Sequence, residues 1–295
     1  MIKAIIDLGS NTFHLLIAKI DRNNITTILK KRIFVGLGDG GIDVLKSDSI
    51  DKGLIALHEY KAILQKEPYD QLIVTGTAAL RTAINAHEFI EPAQKILDTQ
   101  ILIIDGVQEA ELIYKGASIL SDMSDGYHII MDIGGGSTEF IIVHNDQEVR
   151  SYSYKLGVGV LHSGFQHSDP ITSQDQDLLR AHIQEVLGNL KAFSKNIEFN
   201  SLIGASGSFE VLETMTGHPI STHRNRFIDL QSVYDICKKI IQSNSEEREA
   251  MEGLPSTRVK LIVVAMILIE EVLKITKPKA FQITPYALKE GLLVS

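Results

Sequence analysis

Short apolar runs separated by polar punctuation continue through the whole 295-residue chain, and their period switches between two and about 3.6. KAIID, from Lys3, and FHLLIAKI, from Phe13, alternate as strands on either side of a Gly-Ser-Asn-Thr bend, and ITTILKKRIFV follows as a third strand. SIDKGLIALHEYKAILQKE then carries apolar residues at helical spacing, QLIVTG is a strand, and AALRTAINAHEFIEPAQKIL is helical with a break near Asn85. QILIID and QEAELIYKGASIL add a strand and a helix. After DMSDG the pattern starts again. YHIIMD, EFIIVHN and EVRSYSYKL are three strands, SQDQDLLRAHIQEVLGNLKAF is a long amphipathic helix, and SLIGASG ends a strand in small residues. The rest is mainly helical, closing with KAFQIT and PYALKEGLL. Strands alternating with helices predict an α/β fold.

The restart is an internal repeat. Setting AIIDLGSNTFHLLIA against IIMDIGGGSTEFIIV aligns Asp7 with Asp132, Gly9 with Gly134 and Ser10 with Gly135. VGLGDG around Gly36 echoes LGVGV around Gly157, and VTGTAAL around Gly76 echoes IGASGSF around Gly207. The chain therefore divides into two similar lobes, residues 1–124 and 125–295. A cleft is expected between them, with a last helix at about 285–295 expected to pack back on the first lobe.

Two glycine bends in register point to anion binding. A bend without bulky side chains lets the backbone come close to a ligand, and its amides can converge on an anion. Ser10, Asn11, Thr12, Ser137 and Thr138 add donors beside Gly134, Gly135 and Gly136. Asp7 and Asp132 would repel the same anion unless a cation stood between them. That pairing implies Mg2+ or a similar hard metal. A single bend of this kind could equally be an ordinary tight hairpin; two in register favour the binding reading.

Composition narrows the partners. A net charge of −8 excludes a general nucleic-acid surface, so a polyanion must be met by a local basic cluster. One cysteine, Cys237, excludes an internal disulfide framework and fits a reducing compartment. LIVVAMILI, from Leu261, is about half the length needed to span a bilayer. With no leader pattern at the start, a soluble cytoplasmic protein without a membrane partner is expected.

IDLGSNTFHLLI, TGTAALRTAIN, IDGVQEAELIYKG, MDIGGGSTEF and ALKEGLL resemble the landmark segments of the exopolyphosphatase/guanosine pentaphosphate phosphatase (Ppx/GppA) family, nearly end to end. The resemblance implies two actin-like, ribonuclease-H-like lobes, as in actin, sugar kinases and heat-shock chaperones. It also implies magnesium-dependent cleavage of the terminal phosphoanhydride of polyphosphate or of guanosine penta- or tetraphosphate. By the same resemblance Glu109 activates water, Glu139 and Asp132 serve magnesium and the nucleophile, and Arg81 clamps phosphate. Gly207, Ser208, Arg258 and Lys289 line the anion path, and a homodimer is an option in which LIVVAMILIEEVL could form the interface, although a fully buried core helix explains the same residues with fewer assumptions. Four departures qualify it: Gln108 stands where a second glutamate is usual, Lys260 where aspartate is usual, Lys289 where arginine is usual, and ASGS, with Ser208 as its remaining hydroxyl, where a glycine-glycine-threonine turn is usual. A non-hydrolytic sensor of the same ligands, or a kinase on the same fold, would share these segments. His14, His162, His218 and His223 have no metal-ligand spacing and read as ordinary polar residues. TGHPISTHRNRF, with Arg224 and Arg226, reads as a basic loop over the substrate or a plain surface loop.

Overall fold

The computed structural model describes residues 1–21 and 24–295. The first half runs β1 (Ile2–Leu8), β2 (Thr12–Asp21), β3 (Asn24–Phe34), α1 (Ser47–Leu64), β4 (Gln71–Gly76), α2 (Ala78–Thr82), α3 (His87–Leu97), β5 (Ile101–Ile103) and α4 (Gly106–Ala117). The second runs β6 (Tyr127–Ile133), β7 (Thr138–His144), β8 (Gln147–Tyr154), α5 (Val158–Phe165), α6 (Ser173–Val186), α7 (Gly188–Ser194), β9 (Phe199–Ala205) and α8 (Gly207–Met215). It continues through β10 (Arg226–Ile228), α9 (Leu230–Gln242), α10 (Ser245–Glu249), α11 (Ile262–Thr276), β11 (Ala280–Ile283) and α12 (Leu288–Val294).

The repeat is visible in the sheets. One is ordered β3-β2-β1-β4-β5, and the other, read from its far edge, β8-β7-β6-β9-β11-β10. In each, two antiparallel hairpin pairings are followed by parallel crossovers, and β10 is an added antiparallel edge. This is the α/β architecture expected from the strand pattern, with one sheet for each copy of the repeat. The break near Asn85 has a cause: its side chain accepts from Leu45 N and donates to Leu45 O, which holds the chain between α2 and α3.

Three cores hold the molecule. β1, β2 and β4 bury Ile6, Phe13 and Val74 against Leu57 and Phe89 of α1 and α3. The second sheet buries Met131, Phe140 and Leu202 against α5, α6, α9 and α11. The third lies between the sheets, where Ile5 and Leu16 face Ile130 and Ile203 across α4 and α12. Removing this much apolar surface from water is what fixes the sheets relative to one another. Residues 262–269 of α11 are all buried within the chain, so the apolar run weighed as a dimer interface belongs to the core. No helix among the described residues is long and apolar enough to cross a membrane.

α4 and α12 cross at two glycines. A Cβ added to Gly116 would overlap Ala287 O, and one added to Gly291 would overlap Leu112 O. Backbone touches backbone there, and the crossing fixes the first turns of both helices, where Glu109 and Lys289 reside. Lys3 Nζ donates to Leu293 O (2.8 Å), which ties the end of α12 to β1.

Candidate functional site

Register builds the site from two matching rows. In the first sheet Asp7 of β1 faces His14 of β2, which faces Arg32 of β3. In the second, Asp132 of β6 faces Glu139 of β7, which faces Ser153 of β8. Residues directly opposite on neighbouring strands share a face, so each row presents three side chains to one side. Asp7, His14, Arg32, Asp132 and Glu139 all line one cavity of about 360 Å³ between the lobes.

The two bends meet at the floor of that cavity. A Cβ added to Gly135 would lie 2.7 Å from Asn11 Cγ, and one added to Gly136 would lie 3.0 Å from Ser10 Oγ. Each bend is braced from behind by the segment that the repeat paired with it. Gly38 N and Gly36 N donate to Ser10 O and Asn11 O, and Val158 N and Gly159 N donate to Gly134 O and Gly135 O. The glycine echoes are therefore two copies of one brace.

Of the expected phosphate ligands, Ser10, Asn11, Thr12, Gly134, Gly135, Gly136, Ser137, Gly207 and Arg258 line the cavity. Ser10 Oγ already accepts from Ala79 N (3.1 Å), at the start of α2. Three others lie outside. Thr138 is fully buried and donates to Leu156 O (2.9 Å), so its hydroxyl serves the fold. Ser208 is buried in α8 away from the lining. Arg81 stands beside Glu109: its Nη1 donates to Glu109 Oε2 (2.9 Å) and to Ile104 O (2.8 Å), and it does not line the cavity. The guanidinium expected to clamp phosphate holds a carboxylate instead. The Arg258 guanidinium lies over Gly207, in the space a Cβ there would take, so a larger residue at 207 would displace it.

Glu109 is set by its helix. Asp105 caps α4 by accepting from Val107 N and Gln108 N, and the Gln108 side chain accepts from Asp105 N in return. The glutamine that departs from the family pattern thus completes a capping box. Burial raises Glu109 to about 7, against the pull of Arg81. Burial, then the charges of Glu109 and Asp132, push Glu139 well above the usual range, although Ser153 Oγ donates to its Oε1 (2.8 Å). Two neighbouring carboxylates that repel each other share a proton, and the guanidinium of Arg81 sits on Glu109 alone. Glu139 keeps it, and Glu109, paired with Arg81, is the one that ionises.

Cations line the same cavity. Lys30, Arg32, Arg258 and Lys289 enter from β3, from the turn before α11 and from α12. Although burial works against it, Glu290, Asp7 and Asp132 hold Lys289 above its ordinary value. His14, read from sequence as an ordinary polar residue, also lines the cavity, and its Nδ1 is buried without a partner. Burial, then Lys289, keep its ring neutral. The 216–227 segment is a loop up to its last two residues. Arg226 begins β10 and donates from Nε to Glu213 (3.2 Å), while Ile220, Ser221 and Thr222 reach the cavity.

The acids fit magnesium in part. Among the described residues no three His, Cys, Asp or Glu side chains converge closely enough to cage a metal. Asp7 Oδ1 is nevertheless buried with no hydrogen-bond partner, and Asp132 shares its cavity. One or two carboxylates plus phosphate oxygens and water is a usual magnesium shell. Glu139, expected as a further ligand, is engaged with Ser153.

Burial raises Asp7 to about 6, opposed by Lys289. The unfolded chain ionises Asp7 first, so the charged form costs the fold; the cost starts near pH 4 and is complete above about pH 6. Asp7→Asn removes it. The ligand-free variant is expected to melt roughly 5 °C above wild type at pH 7.5 and level with it near pH 4, measured by scanning fluorimetry.

The Ppx/GppA phosphatase family model matches residues 16–295. A guanosine-5′-triphosphate,3′-diphosphate pyrophosphatase of Aliivibrio fischeri is 26% identical over 291 residues, 98% of this chain and 58% of that protein. One from Aeromonas salmonicida is 27% identical over 301 residues, with the same shares. The chain thus spans little more than half the length of these curated relatives. A crystal structure of an exopolyphosphatase from Cytophaga hutchinsonii is 33% identical, covers 100% of this chain and 97% of its own, and superposes with a TM-score of 0.94. A Ppx/GppA enzyme from Aquifex aeolicus, 24% identical with coverages of 100% and 99% and a TM-score of 0.81, shares the fold.

Proposed function

The chain belongs to the Ppx/GppA phosphatase family, and from that premise we propose that it is a magnesium-dependent phosphohydrolase that removes the terminal phosphate of inorganic polyphosphate or of guanosine pentaphosphate. The observation that carries this reading is the pairing, in one cavity, of a carboxylate able to ionise near neutrality with four cations and two opposed backbone bends.

The bend amides with Ser10, Asn11, Thr12 and Ser137 hold the terminal phosphate, and Lys289 and Arg258 offset its charge. Glu109 orients a water and takes its proton as the oxygen attacks phosphorus. The bond to the bridging oxygen breaks, and the shortened phosphate leaves with that oxygen. Arg81 is a positioning residue here: it keeps Glu109 ionised and aimed. Asp7 and Asp132 would hold magnesium, which when bound neutralises phosphate charge and polarises the phosphoanhydride.

Phosphate release from polyphosphate of several lengths and from guanosine pentaphosphate tests the reading. Release abolished by chelation supports it; binding without release above background, for wild type and Glu109→Ala alike, contradicts it. That second result is the signature of a non-hydrolytic sensor, a reading favoured by the commitment of Arg81 to Glu109 and Ile104 O. The pH profile adds a check. Because Glu109 must be ionised, release is expected to rise with pH through a midpoint near 7, and Arg81→Ala, which removes the guanidinium that lowers Glu109, is expected to move that midpoint upward.

A further inference from the structure

A second cavity, of about 460 Å³, opens on the second lobe, and it shares no lining residue with the catalytic one. Its walls come from the end of α5 and the loop after it, from α10 and from the turn before α11. Two of these elements also serve the phosphate grip. α5 begins at the brace on Gly134 O and Gly135 O and reaches this cavity at His162. The turn that sends Arg258 into the catalytic cavity sends its next residues, Val259 and Lys260, into this one.

Arg248 stands in the wall, 1% exposed, and its charge is spent within the chain. Nε donates to Val259 O (3.2 Å), Nη1 to Ser243 O, and Nη2 to Asp169 Oδ1 (2.7 Å) and Ser245 Oγ (3.1 Å). That tie fixes the walls and offsets the Asp169 carboxylate, to which Ser245 N also donates (2.6 Å). What is left over is cationic. Lys260 is exposed and, among the described residues, forms no ion pair. Burial, then Lys260, hold the His162 ring below its ordinary value; Arg248 and His167 add to the push, and Asp39 opposes it. Gln166 lines the same wall, and its buried Oε1 has no partner; turned over, that amide offers an N–H to a ligand.

A metal does not fit, since among the described residues no three His, Cys, Asp or Glu side chains converge closely enough to cage one. A small dianion does. It offsets Lys260, lets His162 take a proton, and accepts from the exposed Ser256 hydroxyl, against one remaining carboxylate in the lining, Glu249. Phosphate has enough oxygens to meet donors from several walls at once, as a carboxylate does not. Lys260 is also a point where this chain departs from the family's usual aspartate, a residue that would repel such a ligand.

We propose that this cavity is a second oxyanion site, which takes inorganic phosphate or the head of a phosphate monoester on Lys260, His162 and Ser256, outside the catalytic cavity. It does not rest on the phosphohydrolase reading, because no group of the catalytic cavity lines it.

The ring proton signals of His162 and His167, followed by NMR at constant neutral pH and low salt, test it in two titrations, one with inorganic phosphate and one with phenyl phosphate. Both rings are expected to move saturably with inorganic phosphate. Lys260→Asp is expected to weaken the apparent affinity about tenfold or more, and Lys260→Arg to keep it within about threefold. Lys260 is exposed, so neither substitution threatens the fold. Phenyl phosphate that moves the rings as inorganic phosphate does makes the ester head an occupant, and rings that answer to inorganic phosphate alone make it the free ion; either result supports the site. Rings that stay still with both probes, or that respond as strongly in Lys260→Asp as in wild type, would overturn the proposal, the latter because the response then comes from phosphate in the catalytic cavity. Binding is read without turnover, so a protein that releases phosphate from no substrate defeats the hydrolase reading and leaves this test decisive.

Discussion

Glu109→Gln lowers phosphate release by about a thousandfold and leaves substrate binding within about threefold, measured by phosphate release and by equilibrium binding on the same protein. Glutamine keeps the volume and can still accept from Arg81 Nη1, so the α4 terminus and its capping box are undisturbed. What it loses is the ability to take a proton. Glu139 cannot substitute, because burial and the nearby acids keep it protonated and Ser153 holds its Oε1. The size of the effect separates the two carboxylates: Glu139→Gln, which replaces an already neutral group, is expected to cost tenfold or less. The reverse pattern, a large loss in Glu139→Gln and a small one in Glu109→Gln, would mean that the proton sits on Glu109 instead.

Gly116→Ala is expected to lower the melting temperature by roughly 5–10 °C and to reduce kcat/KM more than the lost fold population explains. The added methyl overlaps Ala287 O, a backbone atom, so α4 and α12 must part. Those helices carry Glu109 and Lys289 in their first turns and fill the core between the sheets, so their separation moves both groups and loosens the lobes together. Gly291→Ala, which overlaps Leu112 O from the other side, should behave alike. Gly164→Ala is the control: nothing lies within 4 Å of a Cβ there, and inside α5 alanine should be neutral or slightly stabilising. A Gly116→Ala protein that melts and turns over like the Gly164→Ala control would contradict the crossing as the support of the site.

Much of this was legible in the residues because it is local. Seven positions separate Asp7 from His14 and likewise Asp132 from Glu139, and that spacing survives folding as two equivalent hairpin rows. The bends are short-range events, set by turn chemistry within a few positions; their braces arrive from further along the chain and were legible only through the repeat, and Leu45, 40 positions away, holds the break at Asn85. What was not legible depends on which distant surfaces meet. Lys30 and Arg32 alternate along β3 as on any solvated strand, and only the arrival of α8, bearing Glu210, makes that face a cavity wall. His14 carried a usable signal, since it occupies the repeat position of Glu139. The partners of Arg81 were not legible, because its segment shows that it lies near the site and not which groups accept from it; here Ile104 O and Glu109 do. Thr138 alternates with Glu139 along β7, so when one faces the cavity the other faces the core.

The direct test of the whole account is a crystal structure of Glu109→Gln with magnesium and a bound substrate. The account places the terminal phosphate between the two bends, within hydrogen-bond reach of backbone amides in 9–12 and 134–137, with the metal on Asp7 or Asp132 and the substituted side chain at position 109 facing the phosphorus. A phosphate bound outside that cavity, or bends that part without touching it, would contradict the claim that the duplicated hairpins are the phosphate grip.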